Sequence, residues 1–330
     1  MSNDNTQVAK KITFGQFLNF TGTQSLIQKT LGDEKHAQRF CASILSAVSV
    51  TPGLQECDPK TVLSGAFLGD ALNWSPSPQL GQFYLVPFGA KNNPDGYGKV
   101  AVFIPGYKGL MQLGIRSGQF RRIVPLEIKQ GEIVSPWNPL FETIALNFIE
   151  DESKRDAAPT VGYYIEIELV KGFRKAMYWS KDRMLVHANR FSKAFNKDQY
   201  RLLIEGKIPG ISLKDIQEGK YFEDKALYVA AQKMSSFWYK DFDVMAKKTM
   251  IRQIFGGGYC PMSVDMQMAY DADEKVINPI TLTPDADGVY DEAPAPEELQ
   301  NPDDYVPPFV AGTETAKKER AAKQAKMDEV

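Results

Sequence analysis

Cysteine and histidine are scarce in this 330-residue chain: Cys41, Cys57 and Cys260 are its thiols, His36 and His187 its imidazoles. An odd, widely spaced set of thiols argues against a disulfide scaffold or a cysteine-based zinc site, and fits a reducing, cytoplasmic setting. Neither histidine has a second ligand at metal-binding spacing, and two are too few for a convincing nucleophile–base constellation. No 18-residue apolar run occurs, so a membrane span is not expected, and the polar opening segment Met1–Gln7 lacks a signal-peptide core. Also missing are Gly-x-x-x-x-Gly-Lys-Ser/Thr and Gly-x-Ser-x-Gly, which disfavours P-loop ATP chemistry and the hydrolase elbow. Gly256-Gly257-Gly258 lacks dinucleotide-binding spacing and reads as a helix-ending loop. No repeat of solenoid period is visible.

What is present is an ordinary globular composition, 43% hydrophobic and 24% charged, with enough chain for one large or two modest domains. The formal net charge of −2 conceals an asymmetry. From Asp271 onward there are 6 Lys/Arg against 15 Asp/Glu; the 270 residues before it carry 33 against 26. A basic body with an acidic tail is a pattern of proteins that handle nucleic acid.

Apolar periodicity predicts helices after Asp33 and after Asp58-Pro59, each opened by a good N-cap. Strands are expected at Phe83–Phe88, Val100–Ile104, Arg122–Ile128, Val161–Val170 and Phe173–Trp179, the last two paired as a hairpin across Lys171-Gly172. Asp151–Ala158 reads as a charged loop, and Lys181–Phe195 and Asp224–Phe255 as helical. The fold class is therefore α+β: a small antiparallel β-rich core flanked by helical segments. The expected organisation is an N-terminal helical segment, 1–73, for subunit contacts; a core, 74–258; and an acidic, Pro-rich flexible tail, 259–330, with a partner-binding end.

The densest chemistry lies in Lys99–Arg122, where a strand ends at Pro105-Gly106 and a helix follows through Leu110 and Leu113. Tyr107 and Lys108 sit at that junction, an aromatic beside a cation. Similar interleaving recurs at Phe120/Arg121/Arg122, at Arg174 through Lys181, at Arg190/Phe191/Lys193, and in the basic set Lys247, Lys248 and Arg252. Cations neutralise phosphates whatever the sequence and aromatic faces accept any base, so the combination points to single-stranded nucleic acid with little base preference. A competing reading is a magnesium-dependent nuclease: Pro94-Asp95 with Glu127-Ile128-Lys129 has the form Pro-Asp…Glu-x-Lys, two carboxylates for the metal and a lysine for the attacking water. Turn chemistry alone accounts for Asp95.

Phe103-Ile104-Pro105-Gly106-Tyr107-Lys108-Gly109-Leu110-Met111-Gln112-Leu113 followed by Arg116-Ser117-Gly118 resembles the signature of the RecT family of phage single-strand annealing proteins. Gly81 through Phe88, Trp179-Ser180-Lys181 and His187 through Phe195 extend the resemblance, which spans roughly Ala42 to Gly258. It implies a non-catalytic protein that binds single-stranded DNA, assembles into rings or helical filaments and pairs complementary strands without ATP. It further implies a partner exonuclease, contact of the C-terminal part with the host single-strand-binding protein, and a core similar to the Rad52-type annealing fold. The expected location is the bacterial cytoplasm. No cofactor is expected, magnesium serving as a modulator rather than a reagent. On this reading Lys99, Lys108, Arg116, Arg121, Arg122, Lys175, Lys181, Arg190 and Lys193 line a groove and contact phosphates. Lys247, Lys248 and Arg252 add to it, and Phe103, Tyr107 and Trp179 space or stack bases.

Overall fold

The computed structural model describes residues 12–51, 53–90 and 96–277, with the backbone of Tyr290–Glu292. Asp95, residues 1–11 and most of the acidic tail lie outside the described residues. Two compact units emerge: 12–193 with 241–277, and 194–240.

Four helices open the first unit: α1 (Phe14–Leu18), α2 (Thr21–Leu31), α3 (Glu34–Val50) and α4 (Pro59–Ala71). Asp33 accepts from the His36 amide to cap α3, and Asp58 from the Lys60 amide to cap α4, with Pro59 at the first helical position its fixed φ suits. Residues Pro59 to Gly69 of α4 are all buried except Lys60. That follows from its place between α3, where Phe40 stacks on Phe67 at 5.0 Å, and the strands β1 (Phe83–Gly89) and β2 (Lys99–Pro105). β1 and β2 pair antiparallel from Phe83↔Pro105 to Gly89↔Lys99. Helix α5 (Tyr107–Arg116) leaves directly from the end of β2.

A second sheet follows, built from β3 (Phe120–Lys129), β6 (Thr160–Leu169) and β7 (Arg174–Ser180), all antiparallel. Between them the chain forms a hairpin of β4 (Ile133–Asn138) and β5 (Thr143–Leu146) and a short helix α6 (Glu152–Ala157). The charged stretch read as a loop is thus helical, because Asp151 caps it through the Lys154 amide. Strand β6 alternates as its sequence demands. Tyr163, Ile165 and Ile167 bury one face, while Tyr164, Glu166 and Glu168 occupy the other. That second face is drier than its residues suggest: Trp137 of β4 lies against Tyr164 and Tyr178, both at 6.3 Å between rings.

Helix α7 (Lys181–Phe191) continues straight from β7, with Ser180 capping it. The second unit then holds α8 (Lys197–Ile204), α9 (Leu213–Glu218), α10 (Lys225–Lys233) and α11 (Phe237–Lys240) around Phe195, Tyr200, Trp238 and Tyr239. The chain returns to the first unit with α12 (Phe242–Gly256), α13 (Val264–Asp271) and β8 (Lys275–Ile277). The helical stretch expected over Asp224–Phe255 is divided into three helices, and the boundary between units falls inside it. Nor does the tail begin at residue 259: β8 pairs with β2 at Val102↔Val276, extending the first sheet to the order β1-β2-β8-β9, where β9 is Tyr290–Glu292. Composition misled there because the acidic residue Asp273 is a buried ion-pair partner, not a solvated tail charge.

The architecture is α+β with small antiparallel sheets, as the sequence predicts. Helix α12 packs across β3-β6-β7, touching all three strands, and also meets α5. Its first two turns carry Phe242 and Lys247, which lie near Lys181 and Tyr107.

Candidate nucleic-acid interface

The Gly-Tyr-Lys-Gly junction is built by close approach. At Gly106 an added Cβ would stand 2.0 Å from the Gly81 carbonyl oxygen, and at Gly109 2.2 Å from that of Gln82. Backbone pressed on backbone leaves no room to yield, so only glycine seats α5 against the start of β1. The contact is locked polar-to-polar: the Gly106 amide donates to the Gln82 carbonyl at 2.8 Å, and the Gln82 side chain donates to Gln112 at 2.8 Å. Leu110 and Leu113 bury the inner face of the helix. Tyr107 and Lys108 are what remains outside, Tyr107 half-buried and Lys108 exposed.

Tyr107 opens α5, Lys181 opens α7, and both approach the first two turns of α12. The Lys247 ammonium lies 5.3 Å from the centre of the Tyr107 ring, and that of Lys181 6.0 Å from Phe242. The first amides of α5 carry no side-chain cap, since Gly106 precedes them, whereas Ser180 caps α7. Nearby acids are spoken for. Asp241 caps α12 through the Val244 amide, and Asp243 accepts from Thr160 at 3.1 Å and from Tyr163 at 2.5 Å. Desolvation, then the neighbouring charge of Asp243, raises the Asp241 carboxyl above its ordinary range. Burial, then the negative charge of Asp241, raises the Tyr84 hydroxyl beside it.

Along α7, Arg183 stacks over Trp179 at 4.3 Å and Arg190 over Phe191 at 5.3 Å. His187 sits between those rings, 5.1 Å from Trp179 and 4.6 Å from Phe191. Burial first, and then the charges of Arg183, Arg252 and Arg190, hold its imidazole below the usual range. Phe191 is 64% exposed, an aromatic face open to solvent beside a guanidinium.

The predicted cations separate by partner. Lys108, Lys181, Arg190 and Lys193 have no carboxylate within ion-pair distance among the described residues, and neither does Arg183. Others are already occupied. Lys99 pairs with Glu56 at 2.7 Å, Arg121 with Glu168 at 3.1 Å and Arg122 with Glu166 at 3.3 Å. Lys175 pairs with Glu142 and lies 4.3 Å over the Tyr259 ring. Burial opposes the charged form of Glu142, yet the Ala176 amide and Lys175 overcome it and hold the carboxyl below its usual range. The Arg116 guanidinium donates to the Leu72 carbonyl at 2.5 Å, tying the end of α5 to the end of α4. Arg122 and Glu166 stand on the Tyr164 face of the sheet, whereas α12 covers the Tyr163 face. The expected single groove is therefore divided between two faces.

Three candidates are corrected outright. Phe103 is 0% exposed, stacked 5.0 Å from Phe83 and 6.4 Å from Trp74, with no face left for a base. Trp179 is buried and covered by Arg183. Lys248 is buried in a pair with Asp273 at 2.7 Å, and Arg252 shares that carboxylate. Adjacent lysines read as a surface run in sequence, but α12 packs on both sides and turns Lys248 inward.

The nuclease set finds little support. Glu127 and Lys129 do share a face of β3, yet Glu127 lies between two ammonium groups, Lys129 at 3.7 Å and Lys247 at 3.4 Å. A carboxylate so compensated is a poor metal ligand. Among the described residues no cluster of three or more His, Cys, Asp or Glu is arranged to hold a metal, and no helix is long and apolar enough to cross a membrane. Sequence reading did not anticipate the polar chain that continues from Glu127: Lys129 donates to Thr160 at 3.0 Å, and Thr160 to Asp243. Its members come from three elements, so no spacing announces it.

A family model described as the RecT family matches residues 38–289. The chain is 31% identical over 254 residues to a Bacillus subtilis (strain 168) protein named "Uncharacterized protein YqaK", covering 77% of this chain and 70% of that one. It is 25% identical over 268 residues to "Protein RecT" of Escherichia coli (strain K12), covering 81% and 82%.

Proposed function

The chain belongs to the RecT family, and on that premise we propose that it is an ATP-independent annealing protein that binds single-stranded DNA and pairs complementary strands in phage-type homologous recombination. The observation that carries this reading is the set Lys108, Lys181, Arg183, Arg190 and Lys193, cations with no carboxylate partner among the described residues, on or beside the helices that hold Tyr107 and Phe191. Those cations hold backbone phosphates and the ring faces take bases without reading them, which leaves base edges free to test a second strand. Neighbouring subunits in a ring or filament extend the path, with the helices before residue 73 as subunit contacts. The acidic C-terminal part recruits the host single-strand-binding protein, and a partner exonuclease supplies the single strand. The reaction makes and breaks no covalent bond. Magnesium enters only by screening phosphate charge.

The test is an annealing assay on complementary labelled oligonucleotides without ATP, with the strands sized on a denaturing gel afterwards. The reading expects accelerated pairing and full-length strands. Failure to accelerate pairing contradicts it, and strands shortened in magnesium and protected by Glu127→Ala would restore the nuclease.

A further inference from the structure

Tyr107 is not a loose surface ring. Its partner, the Lys247 ammonium 5.3 Å from the ring centre, is itself held by Glu127 Oε2 at 3.4 Å. The other oxygen of Glu127 faces the Lys129 ammonium at 3.7 Å. Lys129 is only 6% exposed and donates to Thr160, whose hydroxyl donates to Asp243; Tyr163, fully buried, donates to the same carboxylate. The sequence of partners thus runs from the buried sheet outward, with alternating charge, and ends against one aromatic face. Lys247 is only one-fifth exposed in its side chain, and its charge is compensated at short range. Lys108, the next residue to Tyr107, is exposed and has no carboxylate partner among the described residues.

We propose that Lys247 and Glu127 are positioning residues for Tyr107 rather than phosphate contacts: the pair fixes the ring as a stacking platform for a nucleobase of single-stranded DNA. This rests on the nucleic-acid reading of the site. A cation set against the electron-rich face of an aromatic ring restrains its orientation, and an ordered ring loses less freedom when a base stacks on its other face. Lys108 then supplies phosphate contact and Lys247 does not, although the two lie at the same junction.

Salt dependence separates those duties, because only a cation that releases counterions from phosphate changes the slope. The experiment uses the full chain and an oligo(dT) strand carrying one 2-aminopurine, whose fluorescence is quenched by stacking, titrated at several salt concentrations. Thermal unfolding of each variant is followed alongside. Lys247→Gln is expected to weaken binding by about threefold to tenfold with the salt slope unchanged and the quench reduced. Lys247→Arg, which keeps the cation, restores both. Glu127→Gln behaves like Lys247→Gln. A slope that falls by about 0.7 in Lys247→Gln makes it a phosphate contact and overturns the inference. So does tighter, more salt-sensitive binding in Glu127→Gln, which would mean that the carboxylate merely masks Lys247. Wild-type protein that neither binds nor quenches the probe overturns the site reading and this inference with it. Wild type that does both, with Lys247→Gln indistinguishable from it, overturns the inference alone.

Discussion

The Tyr164 face of the β3-β6-β7 sheet and the helices α5 and α7 carry similar cations in opposite circumstances. On the Tyr164 face, Glu166 holds Arg122 at 3.3 Å and Arg174 at 2.7 Å, and accepts from the Tyr164 hydroxyl at 2.6 Å. On α5 and α7, Lys108, Lys181 and Arg190 have no carboxylate partner among the described residues, and Lys181 and Arg190 lie near the Phe242 and Phe191 rings. A basic residue is a phosphate site only if it has charge to spare. Burial opposes the charged form of Glu166, but Tyr164, Arg174 and Arg122 overcome it and hold its carboxyl below the usual range, so it stays ionised and keeps its arginines at neutral pH. Counting basic residues along the chain cannot see that distinction; locating their counter-ions can.

The comparison can be broken at several strengths. The largest effect belongs to the cation that is not on either surface. Lys248→Ala takes one of two cations from the buried Asp273 and leaves Arg252 on it, and is expected to cost about 1–3 kcal/mol in denaturant unfolding, with any loss of DNA binding following the loss of fold. Next is the triple variant Lys108→Ala, Lys181→Ala, Arg190→Ala, which keeps stability but lowers the salt slope for single-stranded DNA by about 2 units, at about 0.7 per phosphate. Arg122→Gln removes an exposed cation. That cation stands on the Tyr164 face, already paired with Glu166, so its loss should leave the slope unchanged and alter stability by no more than about 1 kcal/mol, read from unfolding and from the binding titration.

The smallest effect is a titration. His187 has its folded value depressed, so its contribution to stability is complete above the unfolded value and is lost as pH falls below about 6.5. The decline in unfolding free energy between about pH 7.5 and about pH 5.5 should therefore be shallower in His187→Gln than in wild type. Saturating single-stranded DNA should narrow that difference, because a phosphate near Arg183 and Arg190 offsets the charges that, after burial, disfavour the imidazolium. A decline identical in both proteins would take His187 out of this set.

Much of the scaffold was legible from local rules. The caps at Asp33 and Asp58, the strand ending at Pro105 and the hairpin at Lys171-Gly172 all depend on residues close in sequence. Tyr107 and Lys108 were legible for the same reason, since the glycines flanking them leave those side chains as the ones projecting. What escaped depends on residues far apart. Phe103 follows a strand pattern that says buried or exposed only once α4 and Trp74 are in place. Lys248 needs Asp273, 25 residues on, to explain its burial. Arg121 and Arg122 needed the register of β3 against β6, which sets Arg122 across from Glu168 and within reach of Glu166. The helical run after Asp224 hid a unit boundary because α11 and α12 are separated by a single residue, Asp241.

The central claim is that cations with no carboxylate partner among the described residues, and not basic residues in general, form the DNA-binding surface. It is tested most directly by the salt dependence of single-stranded DNA binding in two single variants, Lys108→Ala and Arg122→Gln, measured side by side on the full chain. The account predicts a slope reduced by about 0.7 in Lys108→Ala and an unchanged slope in Arg122→Gln. Equal reductions in both, or a reduction confined to Arg122→Gln, would contradict it.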